Sequence, residues 1–278
     1  MKNLLNRYIK TQRNSLILMQ KNSDPKAKKK YGQNFINDPK LISQIIEIAN
    51  VSGKKIIEIG PGKGALSYHL ANSASNYIAF EIDPEMREYL IKNNILKPDQ
   101  VKLQDFLNTD LSQYNDYEIV GNIPYYITSE ILLKIFDAHK NFKKITLMVQ
   151  KEVADRLCAQ PNSPDYSKLT LTAQYLANIN LDLKVGREKF DPIPNVDSAI
   201  ITLEMNKSEE QTQQYKELKD FFKLCFLARR KKLSWALKTQ YSQEKILNAY
   251  AKLNLNEMVR IQQLSLEQVV DIFNELSK

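Results

Sequence analysis

The sequence has few of the residues on which many active sites depend. Of its 278 residues only two are cysteine, Cys158 and Cys225, and only two are histidine, His69 and His139. Two distant cysteines provide neither a disulfide framework nor a Cys-x-x-Cys metal site, and we expect free thiols in a reducing cytoplasm. The isolated histidines form no His-x-x-His or His–Cys pair, which argues against a metal centre and against a Ser-His-Asp triad.

Long hydrophobic runs are also missing. No apolar stretch approaches the roughly 20 residues that a membrane-spanning helix requires. The first 28 residues lack the apolar core and the small-residue cleavage site of a signal peptide. We therefore expect a cytoplasmic protein that has no membrane partner.

The net charge of +8 is concentrated at the N-terminus. Residues 1–30 contain nine Lys or Arg and one acid, which leaves 31 basic and 31 acidic residues for 31–278. Nucleic-acid binding must therefore be argued from local patches. For the basic lead over 1–28, three interpretations are open: a disordered tail that contacts RNA, an extension upstream of a later start such as Met19, or an organelle transit peptide.

The central part of the chain alternates short apolar runs with helical patterns. Asp38-Pro39 and Asp83-Pro84 are typical of helix starts, since Asp caps the helix and Pro suits its first position. The alternation predicts a largely parallel sheet that is covered by helices on both faces. The predicted strands are Lys54–Ile59, Tyr77–Ile82, Val101–Leu103, Tyr117–Val120, Ile145–Val149 and a late pair at 181–185 and Ala199–Met205.

The pattern changes after Met205. Lys207–Gln214 is polar and has the composition of a linker, and from Tyr215 the pattern is helical to the end. We predict three parts: a basic, disordered extension over 1–28, an α/β domain over 29–206 and a helical domain over 207–278.

A glycine-rich turn follows the first predicted strand, Lys54–Ile59. Glu58–Gly64 reads Glu-Ile-Gly-Pro-Gly-Lys-Gly and leads into a helical pattern. Glycine lets the backbone turn sharply and lets a ligand approach without interference from a Cβ atom. A dinucleotide motif would place its third glycine one residue later. The turn alone therefore leaves a cofactor site and a plain tight turn open.

Acids at the ends of the next two strands narrow that choice. Glu81 ends the second strand, about 20 residues after the turn, where an acid can bond ribose hydroxyls. Asp105 follows the third strand, where a carboxylate can accept from an adenine amino group. Open α/β sheets bind ligands at the carboxyl ends of their strands. Gly60 and Gly62 with these two acids therefore favour an adenosyl ligand.

The fourth strand leads into the sequence Asn122-Ile123-Pro124-Tyr125. An adenine amino group is a poor nucleophile, and acceptors around its two hydrogens localise the lone pair. The Asn122 side-chain oxygen can be one acceptor, and a main-chain carbonyl at Ile123 or Pro124 the other. Pro124 stiffens the turn, and Tyr125 offers a flat face to an unstacked base.

This chemistry requires no metal and no strong base when the methyl group is carried on a sulfonium, because proximity and alignment then provide much of the rate. The structural alternative is a Pro-containing loop whose aromatics pack on the core, and for Tyr126 that alternative is favoured.

The densest cationic run after residue 30 is Arg229-Arg230-Lys231-Lys232, and no acid occurs between Asp220 and Glu244. Such a run is often a solvated helix face. In an RNA enzyme it can contact phosphates and position the substrate without reading its sequence. Lys26–Lys30 is a second candidate, and Trp235 is expected in the core of the helical domain.

Together these stretches resemble the KsgA type of rRNA adenine dimethyltransferase over nearly all of residues 29–237. The resemblance implies a Rossmann-like class I methyltransferase sheet of seven mostly parallel strands, whose last hairpin reverses direction, and a small all-helical C-terminal domain. Ile36, Lys63 and Gln104 depart from the usual residues without removing a functional group. The matching stretches are Lys29–Ile36, Glu58–Leu66, Asn122–Thr128, Met148–Arg156 and Phe190–Ala199.

The resemblance also implies a cofactor and a set of contacts. The cofactor is S-adenosyl-L-methionine. In such enzymes the residue that matches Phe190 lies by the acceptor pocket and can stack opposite Tyr125, although without the resemblance Phe190 is an ordinary core aromatic. The implied cofactor contacts are Asn34, Ile36, Gly60, Glu81, Asp105 and Asn122.

We therefore expect dimethylation of two adjacent adenosines in a small-subunit rRNA hairpin loop, by a monomer acting on a partly assembled subunit during ribosome biogenesis. The nearest alternative is an Erm-type enzyme that modifies large-subunit rRNA and gives antibiotic resistance, although Met148–Arg156 and Val196–Ala199 favour the KsgA type. Further alternatives are a binding factor for ribosome assembly or organelle transcription, with catalysis secondary or lost, and a nicotinamide dehydrogenase.

Overall fold

The computed structural model describes residues 25–205 and 208–278. The first 24 residues of the basic lead lie outside the described residues, and so does the expectation of a disordered tail there. Within the described part of the chain, no helix is both long enough and apolar enough to cross a membrane.

The strands are β1 (Phe35–Ile36), β2 (Lys55–Ile59), β3 (Asn76–Glu81), β4 (Val101–Leu103), β5 (Tyr117–Asn122), β6 (Phe142–Gln150), β7 (Ala177–Val185), β8 (Phe190–Asp191) and β9 (Ser198–Met205). Seven of them form one sheet in the order β4-β3-β2-β5-β6-β9-β7. The pairs β2–β3, β3–β4, β2–β5 and β5–β6 are parallel. This confirms the predicted class I methyltransferase sheet.

Two kinds of hydrophobic pattern specify these strands. Ile56, Ile57 and Ile59 of β2 are buried, as expected for a central strand that is covered on both faces. In β7 exposed residues alternate with buried or half-buried ones, as expected for a strand at the edge. Some strands are longer than predicted: β6 begins at Phe142, and β5 continues to Asn122.

The helices are α1 (Pro39–Ala49), α2 (Ser67–Ser73), α3 (Pro84–Lys92), α4 (Thr128–Asp137), α5 (Lys151–Leu157), α6 (Lys168–Leu176), α7 (Glu209–Cys225), α8 (Leu233–Leu237), α9 (Gln243–Lys252) and α10 (Leu266–Ser277). Both Asp-Pro helix starts are confirmed. The Asp38 carboxylate accepts from the Leu41 main-chain N at 2.9 Å, and that of Asp83 accepts from the Glu85 N at 3.1 Å.

A small second sheet holds the segment before α1. β1 and β8 are antiparallel, with Phe35 opposite Asp191 and Ile36 opposite Phe190. Two residues after Ile36, Asp38 lies 2.6 Å from the Lys189 ammonium. These contacts fix the course of the chain directly after Asn34.

Contacts divide the chain into two compact units. The first comprises the described residues up to Gln150 and Asp182–Thr202, and the second comprises Lys151–Leu181 and Leu203–Lys278. The sequence places one boundary near residue 207, and these contacts add Lys151–Leu181 to the C-terminal side. Within the second unit, the Tyr175 hydroxyl of α6 donates to the Gln211 carbonyl of α7 at 3.0 Å.

The prediction of a linker at Lys207–Gln214 is wrong for its described residues, because α7 begins at Glu209. The Ser208 hydroxyl accepts from the Gln211 main-chain N at 3.2 Å, and the Gln211 side chain accepts from the Ser208 N at 3.2 Å. This reciprocal pair is a capping box, which starts a helix even in a strongly polar stretch. High polarity alone therefore does not distinguish a linker from the solvent-facing first turns of a helix.

The prediction that Trp235 belongs to the core is also wrong. Its side chain is 51% exposed on α8, whereas Leu233, Ala236 and Leu237 of the same helix are buried. The short helix thus buries aliphatic side chains and leaves its one aromatic residue in solvent.

Candidate active site

The glycine turn leaves β2 with three residues in the left-handed region of backbone space. The φ angle is +66° at Gly60, +54° at Gly62 and +83° at Gly64, a range that L side chains rarely adopt. A Cβ atom at Gly62 would lie 3.0 Å from the Phe35 ring, and one at Gly64 would lie 2.7 Å from Ile95. Glycine is therefore required here by backbone conformation and by packing.

Glu81, the last residue of β3, is bonded to the glycine turn. One carboxylate oxygen accepts from the Gly62 main-chain N at 3.1 Å, and the other accepts from the Asp83 N at 2.9 Å. Burial raises the pKa of Glu81, and these two donors oppose that rise. A carboxylate has about four acceptor positions, so Glu81 can still accept hydroxyl donors from a ligand.

Asp83 links the same corner to the N-terminal segment. One of its oxygens lies 2.8 Å from the Lys28 ammonium, and the other accepts from the Gln33 amide at 3.1 Å. Lys28 also lies 2.7 Å from the Glu85 carboxylate. Burial disfavours the charge on Asp83, but the bonds from Lys28 and Gln33 outweigh it and lower the pKa of Asp83. The sequence indicates Asp83 only as a helix cap, because Lys28 and Gln33 are distant from it along the chain.

Asp105 follows β4 and begins a short 3₁₀ turn. One of its oxygens accepts from the Leu107 main-chain N at 2.8 Å, and the other accepts from the Asn108 amide at 3.3 Å. These bonds hold the carboxylate at the carboxyl end of β4 and leave part of its acceptor capacity for a ligand.

Asn122, the last residue of β5, is oriented by the N-terminal segment. Its side-chain nitrogen donates to the main-chain oxygen of Asn34 at 2.9 Å. This bond uses one of the two hydrogens on the nitrogen and fixes the orientation of the amide, and Oδ1 is the acceptor that Asn122 can present to a ligand. Asn34 is held in turn, because its own amide donates to the Gly32 carbonyl at 3.3 Å.

The main-chain carbonyls after Asn122 are not equivalent. The Pro124 oxygen accepts from the Ile127 main-chain N at 3.3 Å and from the Thr128 hydroxyl at 3.2 Å. Both lone pairs of this oxygen are thus engaged at the start of α4. Of the two carbonyls that the sequence leaves open as second acceptor, this geometry favours Ile123.

The two tyrosines of the acceptor motif have different environments. The Tyr125 hydroxyl lies 2.6 Å from the Ser198 hydroxyl, and burial raises the pKa of Tyr125. Tyr126 is exposed, so the favoured expectation that its ring packs on the core is wrong. Its ring lies against Gly32, where a Cβ atom would be 2.8 Å from it.

The glycine turn, Glu81, Asp105 and the acceptor motif line one cavity of about 300 Å³, a volume within the range of small-molecule sites. Every residue predicted to bind cofactor and the whole acceptor motif line it: Asn34, Ile36, Gly60, Gly62, Glu81, Asp105, Asn122, Ile123, Pro124 and Tyr125. Gln33 and Phe35, which belong to the matching stretch Lys29–Ile36, also line it, and so does Tyr126.

Phe190 is not among the residues that line this cavity. It is 1% exposed and belongs to the hydrophobic core, opposite Ile36 in the small sheet. In this position the ring offers no face to a base, and the structure does not support the stacking role that the resemblance implies.

The predicted phosphate-binding run lies in the second unit. The Arg229 guanidinium donates to the Ser163 carbonyl at 2.9 Å and is half-buried. Arg230, Lys231 and Lys232 line an open depression together with Arg260. The run therefore consists of one arginine that braces the structure and three exposed cations. Sequence analysis did not find Arg260, which is distant in sequence.

The cavity of the first unit has the residues that an adenosyl cofactor requires. The glycine turn admits close approach of a ligand, and Glu81 and Asp105 lie at the carboxyl ends of two adjacent strands. Within residues 25–205 and 208–278, no group of three or more His, Cys, Asp or Glu side chains is arranged to hold a metal ion. Fold and site together define a class I, S-adenosylmethionine-dependent methyltransferase.

Comparison with known proteins narrows this class. The model of the ribosomal RNA adenine dimethylase family matches residues 24–278, and the chain belongs to this family. Ribosomal RNA small subunit methyltransferase A of Mycoplasmopsis synoviae is 46% identical over 257 residues, which cover 91% of this chain and 98% of that protein.

Two solved structures have the same fold. A dimethyladenosine transferase from Plasmodium falciparum has a TM-score of 0.77 at 24% identity, with 87% of this chain and 97% of that one covered. The 23S rRNA methyltransferase ErmE has a TM-score of 0.69 at 27% identity, with 88% and 100% covered.

Proposed function

We propose that the chain dimethylates the 6-amino groups of two adjacent adenosines in a hairpin loop of small-subunit rRNA. Family membership supports adenine dimethylation of ribosomal RNA, and the relative from M. synoviae is named for the small subunit. One observation carries the proposal: the bond from Asn122 to the Asn34 carbonyl leaves Oδ1 of Asn122 as an acceptor in the cavity that Glu81 and Asp105 also line.

The cofactor is held by residues of the first unit. Glu81 accepts from the ribose hydroxyls and Asp105 from the adenine amino group, while the main chain at Gly60 and Gly62 allows close approach. Asn34 and Ile36 close the cavity from the N-terminal segment. When bound, S-adenosylmethionine supplies a methyl group on a positively charged sulfur, which leaves as a neutral thioether when the methyl carbon bonds to nitrogen.

The acceptor motif prepares the amino group of the substrate. Asn122 Oδ1 and the Ile123 carbonyl accept its two hydrogens, which localises the nitrogen lone pair and directs it along the line of transfer. Tyr125 stacks on the base, and its ring is held because its hydroxyl is bonded to Ser198. After transfer the nitrogen loses one proton to solvent, so no side chain has to act as a strong base.

Dimethylation requires a second transfer to the same nitrogen. The monomethylated amine has one remaining hydrogen, and rotation about the exocyclic bond presents it to either Asn122 or Ile123. Because the site has two acceptors, one of them can bind this hydrogen while the first methyl group occupies the place of the other hydrogen.

Selection of one loop requires contacts beyond a pocket that holds a single base. Arg230, Lys231 and Lys232 are exposed and contact phosphates, whereas Arg229 braces this surface through Ser163. The partner is a partly assembled small ribosomal subunit in the cytoplasm, and the enzyme acts as a monomer.

The family signals also bear on the alternatives. The large-subunit enzyme ErmE has the same fold, so the fold does not separate the two activities. The relative with 46% identity is named for the small subunit, which favours that substrate. A binding factor without catalysis would not need an oriented Asn122 amide in a cavity with Glu81.

The test is to incubate the protein with labelled cofactor and unmodified small or large subunits, and to map the modified bases. Label is expected on adjacent adenines of the small subunit. Asn122→Ala is expected to lower transfer by at least about 100-fold and to leave RNA binding intact. Asn72→Ala, at an exposed amide in α2, is the matched control. Label confined to the large subunit, or transfer unchanged in Asn122→Ala, would contradict the proposal.

A further inference from the structure

Trp235 is the only tryptophan of the chain, and half of its side chain is in solvent. A single exposed apolar residue needs no explanation by itself. Trp235 differs because its helix is anchored: Leu233, Ala236 and Leu237 are buried, so the indole is held outward on a fixed element.

Exposed cations precede and follow Trp235 along the chain. The Trp235 main-chain N donates to the Lys232 carbonyl at 3.0 Å, so Lys232 begins the turn that carries it. Lys231, two residues before α8, and Lys238, directly after it, are also exposed. Side chains three or four positions apart share a helix face, so Lys238 lies on the same face as Trp235.

The cationic surface continues into a neighbouring segment of the same unit. The Leu233 main-chain N donates to the Val259 carbonyl at 2.8 Å, which joins the start of α8 to residues 258–260. Lys231 and Lys232 line an open depression with Arg260 and Met258. An exposed aromatic residue therefore lies one helical turn after two of the cations that line this depression.

We propose that Trp235 stacks on an unpaired base of the RNA substrate while Lys231, Lys232 and Arg260 hold the adjoining phosphates. This inference rests on the proposed function, since it takes RNA as the ligand. Cations that follow a phosphate backbone, combined with an aromatic platform for a base, are how proteins bind single strands without sequence preference. The absence of any acid between Asp220 and Glu244 favours a polyanion over a protein partner.

Stacking on Trp235 also bears on substrate choice. A base can stack on Trp235 only where the RNA is unpaired, because paired bases in a duplex are covered by their neighbours. Trp235 therefore favours assembly states in which the contacted rRNA strand is still open.

Because Trp235 is the only tryptophan, its fluorescence reports the contact directly in the native chain. The probe is a labelled oligouridylate strand, because stacking tolerates any base whereas the proposed methyl-acceptor pocket takes adenine. Label anisotropy measures binding, and tryptophan fluorescence measures stacking. The single strand is expected to quench Trp235 strongly at saturation, and a duplex of equal length is expected to bind with little quenching.

Variants separate stacking from charge. Trp235→Ala is expected to weaken single-strand binding about fivefold to a hundredfold with an unchanged salt slope, and Trp235→Phe is expected to recover most of the loss. Lys231→Ala is expected to reduce the slope of log affinity against log salt by about 0.7. Tyr68→Ala, at an exposed aromatic of α2 in the first unit, is the control that should change neither.

Each result has one meaning. Binding without quenching, equal quenching by duplex, or unchanged affinity in Trp235→Ala overturns the stacking role and leaves the phosphate surface standing if Lys231→Ala still reduces the slope. If neither variant affects binding, the RNA surface of the proposed function fails as well. Quenching by a ribosomal protein, with none by RNA, would assign Trp235 to a protein contact instead. The fluorescence measurement uses the native chain and does not depend on the folding of any variant.

Discussion

The side-chain nitrogen of Asn122 donates to the main-chain oxygen of Asn34 at 2.9 Å, although 88 positions separate the two residues. Asn34 belongs to the segment that closes the cofactor cavity, and Asn122 belongs to the acceptor motif. The bond therefore makes the orientation of the acceptor oxygen depend on the placement of the N-terminal segment. In the proposed function, cofactor and base are thereby bound by one connected structure.

Asn122→Asp tests whether this orientation matters apart from the acceptor oxygen itself. Aspartate keeps an acceptor, but it cannot donate to the Asn34 carbonyl and places a charged oxygen against it. We expect kcat to fall by about 100-fold or more and cofactor binding to weaken as the N-terminal segment is displaced. Steady-state kinetics and calorimetric titration measure the two effects. Activity near that of the native enzyme would show that the acceptor oxygen needs no orientation by Asn34.

Lys28→Met tests the tie between the N-terminal segment and Asp83, whose main-chain N donates to Glu81 of the cofactor cavity. Asp83 loses its cation, so we expect faster amide hydrogen exchange over residues 28–36 and a weaker cofactor Kd. Lys92→Met, which removes the ion pair of 2.6 Å with Glu88, is the matched control. Exchange rates equal to those of the native chain would show that Lys28 does not hold the N-terminal segment in place.

The pH dependence of this effect has a definite sign. The pKa of Asp83 is lowered in the folded chain, so its ion pair stabilises the protein above the ordinary aspartate pKa of 3.8 and is lost as the pH falls through the folded value. The stability difference between the native chain and Lys28→Met should therefore shrink in acid. A difference that grows in acid would contradict the assignment of Asp83 as the partner.

Much of this architecture could be predicted because its signals are local. Asp38 and Asp83 start helices through contacts with residues two or three positions away. The isoleucines of β2 indicate a buried strand within a stretch of only five residues. The glycine turn and Glu81 could be placed at one edge of the sheet because parallel strands bring their carboxyl ends together.

The remaining features depend on contacts between distant segments. Nothing in the sequence around Ser198 indicates that its hydroxyl holds Tyr125, and nothing around Lys28 indicates its contact with Asp83. Trp235 was misplaced because an aromatic residue in a helical pattern is ordinarily buried. The pairing of β1 with β8 places the Phe190 ring in the core. Strands of two residues are too short to show a periodic hydrophobic pattern, so the sequence does not predict this pairing.

Glu58→Gln should flatten the pH dependence of stability. Burial raises the pKa of Glu58 to about 7, and its carboxylate accepts from the Tyr77 hydroxyl. The folded state therefore holds a proton more tightly than the unfolded state, so this group stabilises the fold at low pH and its contribution is lost as the pH rises from about 4.5 to about 7. The change is on the order of 3 kcal/mol.

The measurement is urea unfolding of the native chain and of Glu58→Gln across this pH range. Their difference in unfolding free energy should decline as the pH rises. Glu118→Gln, at a carboxylate of β5 that lies 3.0 Å from Lys54, is the control for the loss of an ion-paired carboxylate. A constant difference for Glu58→Gln would mean that Glu58 is ionised throughout.

Ser198→Ala should impair use of the RNA substrate without affecting the cofactor. The 2.6 Å bond between Ser198 and Tyr125 fixes the ring that the proposed function assigns to base stacking. Removing the serine hydroxyl leaves the Tyr125 hydroxyl without its partner at a cost of roughly 1 kcal/mol, and a mobile ring stacks less well. We expect kcat/KM for RNA to fall about fivefold and the cofactor Kd to stay unchanged. Tyr125→Phe removes the same bond from the other side, so the double variant should be no worse than either single one. Additive losses in that cycle would show that the two hydroxyls act independently and that Ser198 does not position Tyr125.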